Sequence, residues 1–280
     1  MSPRLTVQLM GGLGNQLFQI AAAYACAKRY SMELVFPESW NTREDRPPIW
    51  DKYPIKRYFK LISEKEYNDI QWLNVDERSF SYSPIDLPLG YQNYKIIGYF
   101  QSSLYFNDYK DELRILLQPP LIRSNDLSEW IGVHVRRGDY LAAADYHITT
   151  DAEYFKKARL EITRHIGKRA VCWITDDPEW VYKNTYEDAD CVMSSDHIED
   201  FRQLAQFKYL ILSNSSFSWW AAWLNPNNHV DRIICCPDKW FGPSGPQDFQ
   251  TIFEPDWIRI TSGNAAAQLC SQTQGLSAGH

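Results

Sequence analysis

Apolar and polar positions alternate in two rhythms along this chain, one with a period near two and one near 3.6, and the rhythms take turns. Thr6–Met10 is a short apolar run, followed at once by Gly11-Gly-Leu-Gly14. From Asn15 to Tyr30, Leu17, Ile20, Ala21, Tyr24 and Ala25 recur at helical spacing, and Glu33–Phe36 reads as the next strand. Between Pro37 and Gly90 the pattern loosens. Pro47, Pro48 and Pro54 break it, and Ser63-x-x-Glu66 predicts a capped helix reaching Trp72. Tyr94–Phe100 reads as a strand and Asp108–Leu117 as a helix stopped by Pro119-Pro120.

The second half alternates more cleanly. Ile131, Val133 and Val135 interleave with Gly132 and His134, the mark of a strand. Thr150-x-x-Glu153 predicts the cap of a helix to Ile166, with Gly167 as its stop. Strands follow at Ala170–Thr175, Cys191–Ser194, Tyr209–Ser213 and Arg232–Cys236, with helices after Asp177, over Ile198–Phe207 and from Ser215 to Leu224. Strands alternating with helices mean an α/β protein with parallel sheets. The proline pair and the polar residues up to Asp126 place a boundary between an N-terminal α/β unit, residues 1–125, and a second unit, residues 126–262. The Ala-, Ser-, Gln- and Gly-rich residues 263–280 are expected to be a disordered tail.

Composition narrows the function classes. The chain has 280 residues, 44% hydrophobic and 23% charged, with a net charge of −6. A general nucleic-acid or anionic-membrane binder needs a broad basic surface, so those classes are disfavoured and a local basic pocket for a small anion is not. The six cysteines show no CxxC spacing, and no run approaches the ~18 apolar residues of a membrane span. A cytoplasmic, soluble protein is expected, peripheral membrane association being compatible with it. The oligomeric state is not legible. Eleven Trp and seventeen Tyr are many for this length, and both cores and sugar platforms use them.

Ligands of parallel sheets sit at the carboxyl ends of strands. Three such ends carry polar groups: His134-Val-Arg-Arg-Gly-Asp139, Thr175-Asp-Asp177 and Ser213-Asn-Ser-Ser216. Arg136 and Arg137, held by a tight turn at Gly138, are suited to a diphosphate, and the Ser cluster at a helix start is a ready anion site. Each also has a plain structural reading, as a surface ion pair or a helix cap. Trp219, Trp220 and Trp223 are expected in the core. A carboxylate from Asp176 or Asp177 can accept from a guanine edge. Gly11–Gly14 opens a nucleotide-binding βαβ unit, but Leu17 stands where a dinucleotide fingerprint needs its third glycine, which counts against a nicotinamide enzyme. Asp188-Ala-Asp190 spells a metal-binding pair but precedes a strand, so no metal is expected there.

Gly11-Gly-Leu-Gly-Asn-Gln-Leu-Phe-Gln19, His134-Val-Arg-Arg-Gly-Asp-Tyr140, Thr175-Asp-Asp-Pro178 and Ser213-Asn-Ser-Ser-Phe-Ser-Trp-Trp220 together resemble the α-1,2-fucosyltransferases, relatives of the α-1,6- and protein O-fucosyltransferases. The resemblance spans Thr6 to Ile260. It implies a GT-B-type fold of two Rossmann-like domains, GDP-β-L-fucose as donor, inversion, no cofactor or metal, and a terminal galactose acceptor fucosylated at O2. It further implies Arg136 on the β-phosphate with Arg137 in support, and His134 with Asp176 or Asp177 at the guanosine end. Ser215 and Ser216 would hold phosphate; Gly12 and Gly14 would let backbone approach the ligand, with Asn15 and Gln16 facing fucose and pyrophosphate. Asp139 is the candidate base, with Asp145 and His147 as runners-up. A non-catalytic sugar- or nucleotide-binding module of the same fold is the alternative.

Overall fold

The computed structural model describes residues 2–38, 58–119, 129–185, 190–194, 196–225 and 231–261. The boundary expected at residues 125 and 126, Asp188 of the Asp-x-Asp pair, Cys270 and the tail 263–280 lie outside the described residues.

The first half builds one sheet. Its strands are β1 (Arg4–Val7), β2 (Glu33–Pro37), β3 (Lys60–Ile62), β4 (Leu73–Asp76) and β5 (Asn93–Ile97), with α1 (Leu13–Arg29), α2 (Glu64–Asp69) and α3 (Lys110–Leu117) around them. All its pairings are parallel, in the order β3-β2-β1-β5-β4. The second half builds another from β6 (Ile131–Val135), β7 (Val171–Thr175), β8 (Cys191–Met193), β9 (Tyr209–Ile211), β10 (Ile233–Pro237) and β11 (Ile258–Ile260). Its helices are α4 (Gly138–Ala142), α5 (Ala152–Ile166), α6 (Pro178–Thr185), α7 (His197–Leu204) and α8 (Ser216–Trp223). This sheet is also parallel, in the order β11-β10-β9-β6-β7-β8, the doubly wound Rossmann arrangement. Each sheet therefore has a point where the winding reverses, between β1 and β5 in one and between β6 and β9 in the other.

Several elements differ from expectation, each for a physical reason. The three- and four-residue strands β3, β4 and β11 are too short to show periodicity. The cap of α5 is Asp151, whose carboxylate accepts from the Tyr154 amide at 2.7 Å, rather than Thr150. Gly138 opens the short helix α4 instead of making a tight turn; a Cβ there would stand 2.8 Å from Asp176 Oδ2, so the glycine serves that close approach. Gly167 does stop α5, with φ of 76°.

The two halves are joined through α1 and α8. Gly14 in the first turn of α1 lies against the backbone at the start of α8, and a Cβ on it would be 2.3 Å from the Ser216 carbonyl carbon and 2.5 Å from the Phe217 nitrogen. Behind this backbone contact Phe18 packs on Trp219 (4.4 Å between ring centroids) and Trp220 (5.1 Å), and Phe106 stacks on Trp220 at 5.5 Å. Trp219 and Trp220 have no solvent exposure and Trp223 very little, so the tryptophans of this motif are core. Among the described residues five cysteines are free, and burial pushes the Cys26 and Cys235 thiols up to about 12. Among the described residues no helix is long and apolar enough to cross a membrane.

Gly14→Ala must drive α1 and α8 apart, because backbone cannot yield as a side-chain tip can. We expect a loss of about 3 kcal/mol in folding stability, typical of severe overpacking, read as a shift of the urea midpoint followed by tryptophan fluorescence.

Candidate functional site

Both winding reversals carry their polar groups on the loops that leave the strands' carboxyl ends. In the second sheet these connections are 136–137, leading into the short helix α4, after β6, and 212–215 after β9. The strand β6 is buried along its whole length and its fixed end projects the two arginines. Arg136 Nη2 donates to Asp139 Oδ1 at 2.7 Å and Nη1 lies 2.8 Å from Asp176 Oδ2. The Arg136 guanidinium also lies over the Tyr140 ring, 5.7 Å from its centroid. Arg137 donates from its backbone N–H to Asp176 Oδ1 (2.9 Å) and from Nε to Asp177 Oδ2 (3.2 Å), with its guanidinium 4.5 Å above Trp180. Asp177 also caps α6 by accepting from the Trp180 amide at 3.0 Å.

Two guanidiniums thus face three carboxylates. The sequence offered a diphosphate site or a surface ion pair here, and the structure holds both arginines in ion pairs. The pairs fix the forks in place. Asp176 and Asp177 serve the arginine turn and the α6 cap, and Asp139 is the most open of the three, its side chain 51% exposed.

Uncompensated positive potential comes from α8. Its N-terminus opens at Ser215, whose hydroxyl accepts from the Phe217 amide at 3.3 Å, and Ser216 is accessible beside it. At the other end Arg232 Nη1 donates to the Ala222 carbonyl at 3.0 Å and Arg114 Nε to the Trp223 carbonyl at 3.4 Å. Cations on the carbonyl end complement the helix dipole and leave its amide end to attract an anion.

The remaining predicted residues divide by burial. His134 is 5% exposed, hydrogen-bonded through Nδ1 to Ser213 Oγ at 2.8 Å and packed near Phe217. Burial, reinforced by Arg136, lowers its pKa to about 3, so the ring is neutral. Gln16 is also buried, donating from Nε2 to the Gly11 carbonyl at 3.0 Å. Ser215 and Gly14 are inside the α1–α8 joint, while Gly12 begins α1 and stays accessible. Asn15 reaches across: its Oδ1 accepts from Ser216 Oγ at 2.7 Å and from Gln101 Nε2 at 2.8 Å. Asp145 lies on the exposed loop beyond α4, its carbonyl accepting from the Ser244 amide at 3.0 Å. His147 stacks face to face on Tyr140 at 4.2 Å, and burial lowers its pKa.

Sequence reasoning passed over Tyr140, Trp180 and Gln101. Tyr140 is held by its hydroxyl on the Asn214 carbonyl at 3.2 Å, and burial pushes its pKa to about 12, so it remains a phenol. Gln101 follows β5 at the first sheet's winding reversal and directly follows the strand end expected at Phe100, but a neutral amide carries no charge to mark it as a site residue. Among the described residues no group of three or more His, Cys, Asp or Glu is placed to hold a metal ion.

Residues 3–261 match the family model described as Glycosyl transferase family 11. The chain is 28% identical over 290 residues to the alpha-1,2-colitosyltransferase of Escherichia coli, covering 91% of this chain and 98% of that protein. It is 26% identical over 250 residues to the galactoside 2-alpha-L-fucosyltransferase of Caenorhabditis elegans, covering 80% of this chain and 70% of the other. The crystal structure of the glycosyl transferase family 9 protein from Veillonella parvula superposes with a TM-score of 0.51 at 12% identity, covering 100% of this chain and 93% of that one. The fold is α/β of GT-B type, with two Rossmann-like sheets.

His134 makes acid stability a direct readout of the strand end. Below its ordinary value of ~6.5 the unfolded chain binds a proton there that the folded chain refuses until about pH 3. Stability from this group is therefore complete above pH ~6.5 and declines by up to ~1.4 kcal/mol per pH unit as the pH falls below it. Urea midpoints measured between pH 7.5 and 5 should show this slope, and His134→Asn should flatten it.

Proposed function

The chain belongs to glycosyl transferase family 11, and from that premise we propose that it transfers L-fucose from GDP-β-L-fucose to O2 of a terminal galactose, inverting the anomeric carbon without a metal ion. The observation that carries this reading is the convergence of Arg136, Arg137 and the amide end of α8 at the β6/β9 reversal, where a doubly wound sheet binds its nucleotide. The relatives named for an α-1,2-colitosyl and a 2-α-L-fucosyl transfer support the linkage.

In this reading the β-phosphate takes the place of Asp139 on Arg136. Asp139 is the open partner of that guanidinium, whereas Asp176 is also tied to the Arg137 amide. The exchange has two consequences. Arg136 remains paired with an anion throughout, and the Asp139 carboxylate is released to accept the proton of the acceptor hydroxyl as the glycosidic bond forms. His147, neutral and stacked on Tyr140, is the second candidate for that task, and Asp145 the third.

Arg137, Ser215, Ser216 and the α8 amides receive the remaining charge of the departing diphosphate, so the stabilisation a cation would supply is already built in. Gly12, Gly14 and Gln16 shape the opposing wall, and Asn15 faces the sugar and pyrophosphate from it. His134, Asp176 and Asp177 form the guanosine side of the cleft, the buried imidazole acting through the backbone it supports. GDP-fucose is a substrate, and no resident cofactor enters the scheme.

Release of GDP from GDP-fucose in the presence of lactose tests the reading, with a colitosyl donor as the parallel arm. Turnover with the colitosyl donor alone would preserve the linkage and replace the sugar; binding of GDP without turnover on any galactoside would favour a binding module. Arg136→Ala should lower turnover at least ~100-fold and weaken GDP binding while leaving the circular dichroism spectrum unchanged. A chelator should leave the rate of the wild-type protein unchanged, and loss of activity on chelation would overturn the metal-free mechanism.

A further inference from the structure

The loop between β5 and the Ser103–Tyr105 helical turn is pinned with more force than a surface loop requires. Glu77, just past β4, accepts from the amides of Tyr99 (2.7 Å) and Phe100 (2.9 Å) and from the Tyr105 hydroxyl (3.3 Å). Phe100 takes a left-handed conformation, φ 52°, that costs energy for a residue with a side chain, and its ring is buried. Ser102 Oγ then donates to the Thr251 carbonyl at 2.7 Å, fastening the loop to the other half of the molecule. Between these two fastenings sits Gln101, itself buried, with Nε2 on Asn15 Oδ1.

Asn15 Oδ1 receives two donors, one from Gln101 and one from Ser216. Its Nδ2 therefore points the other way, over Gly11, and makes no hydrogen bond among the described residues. The left-handed turn at Gly11 (φ 72°) leaves room for it: a Cβ there would be 2.3 Å from Nδ2. An amide can present either end to a ligand. An anionic or hydroxyl-rich ligand oxygen needs the N–H end, and what selects the end is the donor on the far side.

We propose that Gln101 is a positioning residue that fixes the Asn15 amide with its Nδ2 donor facing the sugar-diphosphate, so that the winding reversals of both sheets act on one ligand. This rests on the donor reading given above. The side chain must be a donor; a carboxylate of the same length accepts only, and it would turn the Asn15 amide over and present an oxygen to an anionic substrate.

The test compares wild type, Gln101→Ala and Gln101→Glu with GDP-fucose as donor. Gln101→Ala should raise the donor KM about tenfold, the loss of one charge-directed hydrogen bond. Gln101→Glu should raise it further at pH 8, and its KM relative to wild type should recover as the pH falls to 5, because the protonated carboxyl can donate to Asn15 again. Melting temperatures should stay close to that of wild type. A Gln101→Glu protein whose donor KM follows wild type at every pH overturns the proposal, and so does an impairment that ignores pH. The side-chain amide ¹H–¹⁵N resonances of Asn15 supply a readout without substrate: they should shift between wild type and Gln101→Glu at pH 8 and converge at pH 5, and unchanged resonances also overturn it. Failure of wild type to bind GDP would instead remove the donor reading and leave this amide measurement standing.

Discussion

Two helix N-termini meet where this molecule's halves join, and the distance between their backbones sets everything nearby. Gly14 of α1 lies so close to the Ser216 carbonyl that no side chain fits between them. Backbone contact of that kind is rigid, because neither partner has rotamers to adjust. It fixes Asn15, one residue on, within hydrogen-bonding reach of Ser216, and it fixes the amide end of α8 relative to the glycine turn. The glycines of the Gly-Gly-Leu-Gly run therefore divide their work. Gly11 supplies a left-handed turn, Gly12 begins the helix, and Gly14 lets the two halves touch. Seen only as letters, the run suggests backbone approaching a phosphate; in the folded chain part of that approach is backbone meeting backbone.

Charge is arranged on the same plan. A pair of bare guanidiniums would bind any anion, but it would also repel itself and wander. Three carboxylates hold the pair still, and two of them, Asp176 and Asp177, have second duties on the Arg137 amide and on α6. Attraction for an anion then falls on α8, whose carbonyl end is occupied by Arg114 and Arg232. In the proposed reaction, separating orientation from attraction in this way would favour a ligand that displaces the open Asp139 partner from the arginine fork.

Much of the scaffold was legible because the second half is regular. Ile131–Val135 was read to the residue, and the helices after Asp177 and Ser215 start where their polar caps predict. What was not legible depended on contacts distant in sequence. Tyr99 and Phe100 are good strand formers and extend the apparent strand past Ile97, yet Glu77 bends the chain there by taking two successive amides from more than twenty residues away. Gln101 adjoins the strand end expected at Phe100, and it escaped notice because its neutral side chain shows no chemistry until Asn15 is seen beside it. The pairing of Arg136 with Asp139 could be read from one turn of sequence, but the arginines' pairing with Asp176 and Asp177 could not, since these come into reach only when β6 and β7 pair in register, Val135 beside Thr175. Composition pointed both ways on the tryptophans, and burial decides for the core.

That last point bears on how core and site depend on each other. Trp219, Trp220 and Trp223 occupy one helix of eight residues whose first residue, Ser216, borders the candidate nucleotide site. Their rings pack on Phe18 of α1 and on Phe106, so the helix cannot rotate or slide without unpacking aromatic area from both halves. The dipole of α8 is thus aimed by hydrophobic packing, and the guanidinium of Arg114 belongs to both systems, lying 4.8 Å over the Trp223 ring while its Nε faces the Trp223 carbonyl. A helix held by side chains at one end and by a glycine joint at the other has its amide end positioned before any ligand arrives. Preorganised positive potential costs no reorganisation when charge moves onto a leaving group, so in the proposed transfer the tryptophan cluster and the serines that border it would act as one motif.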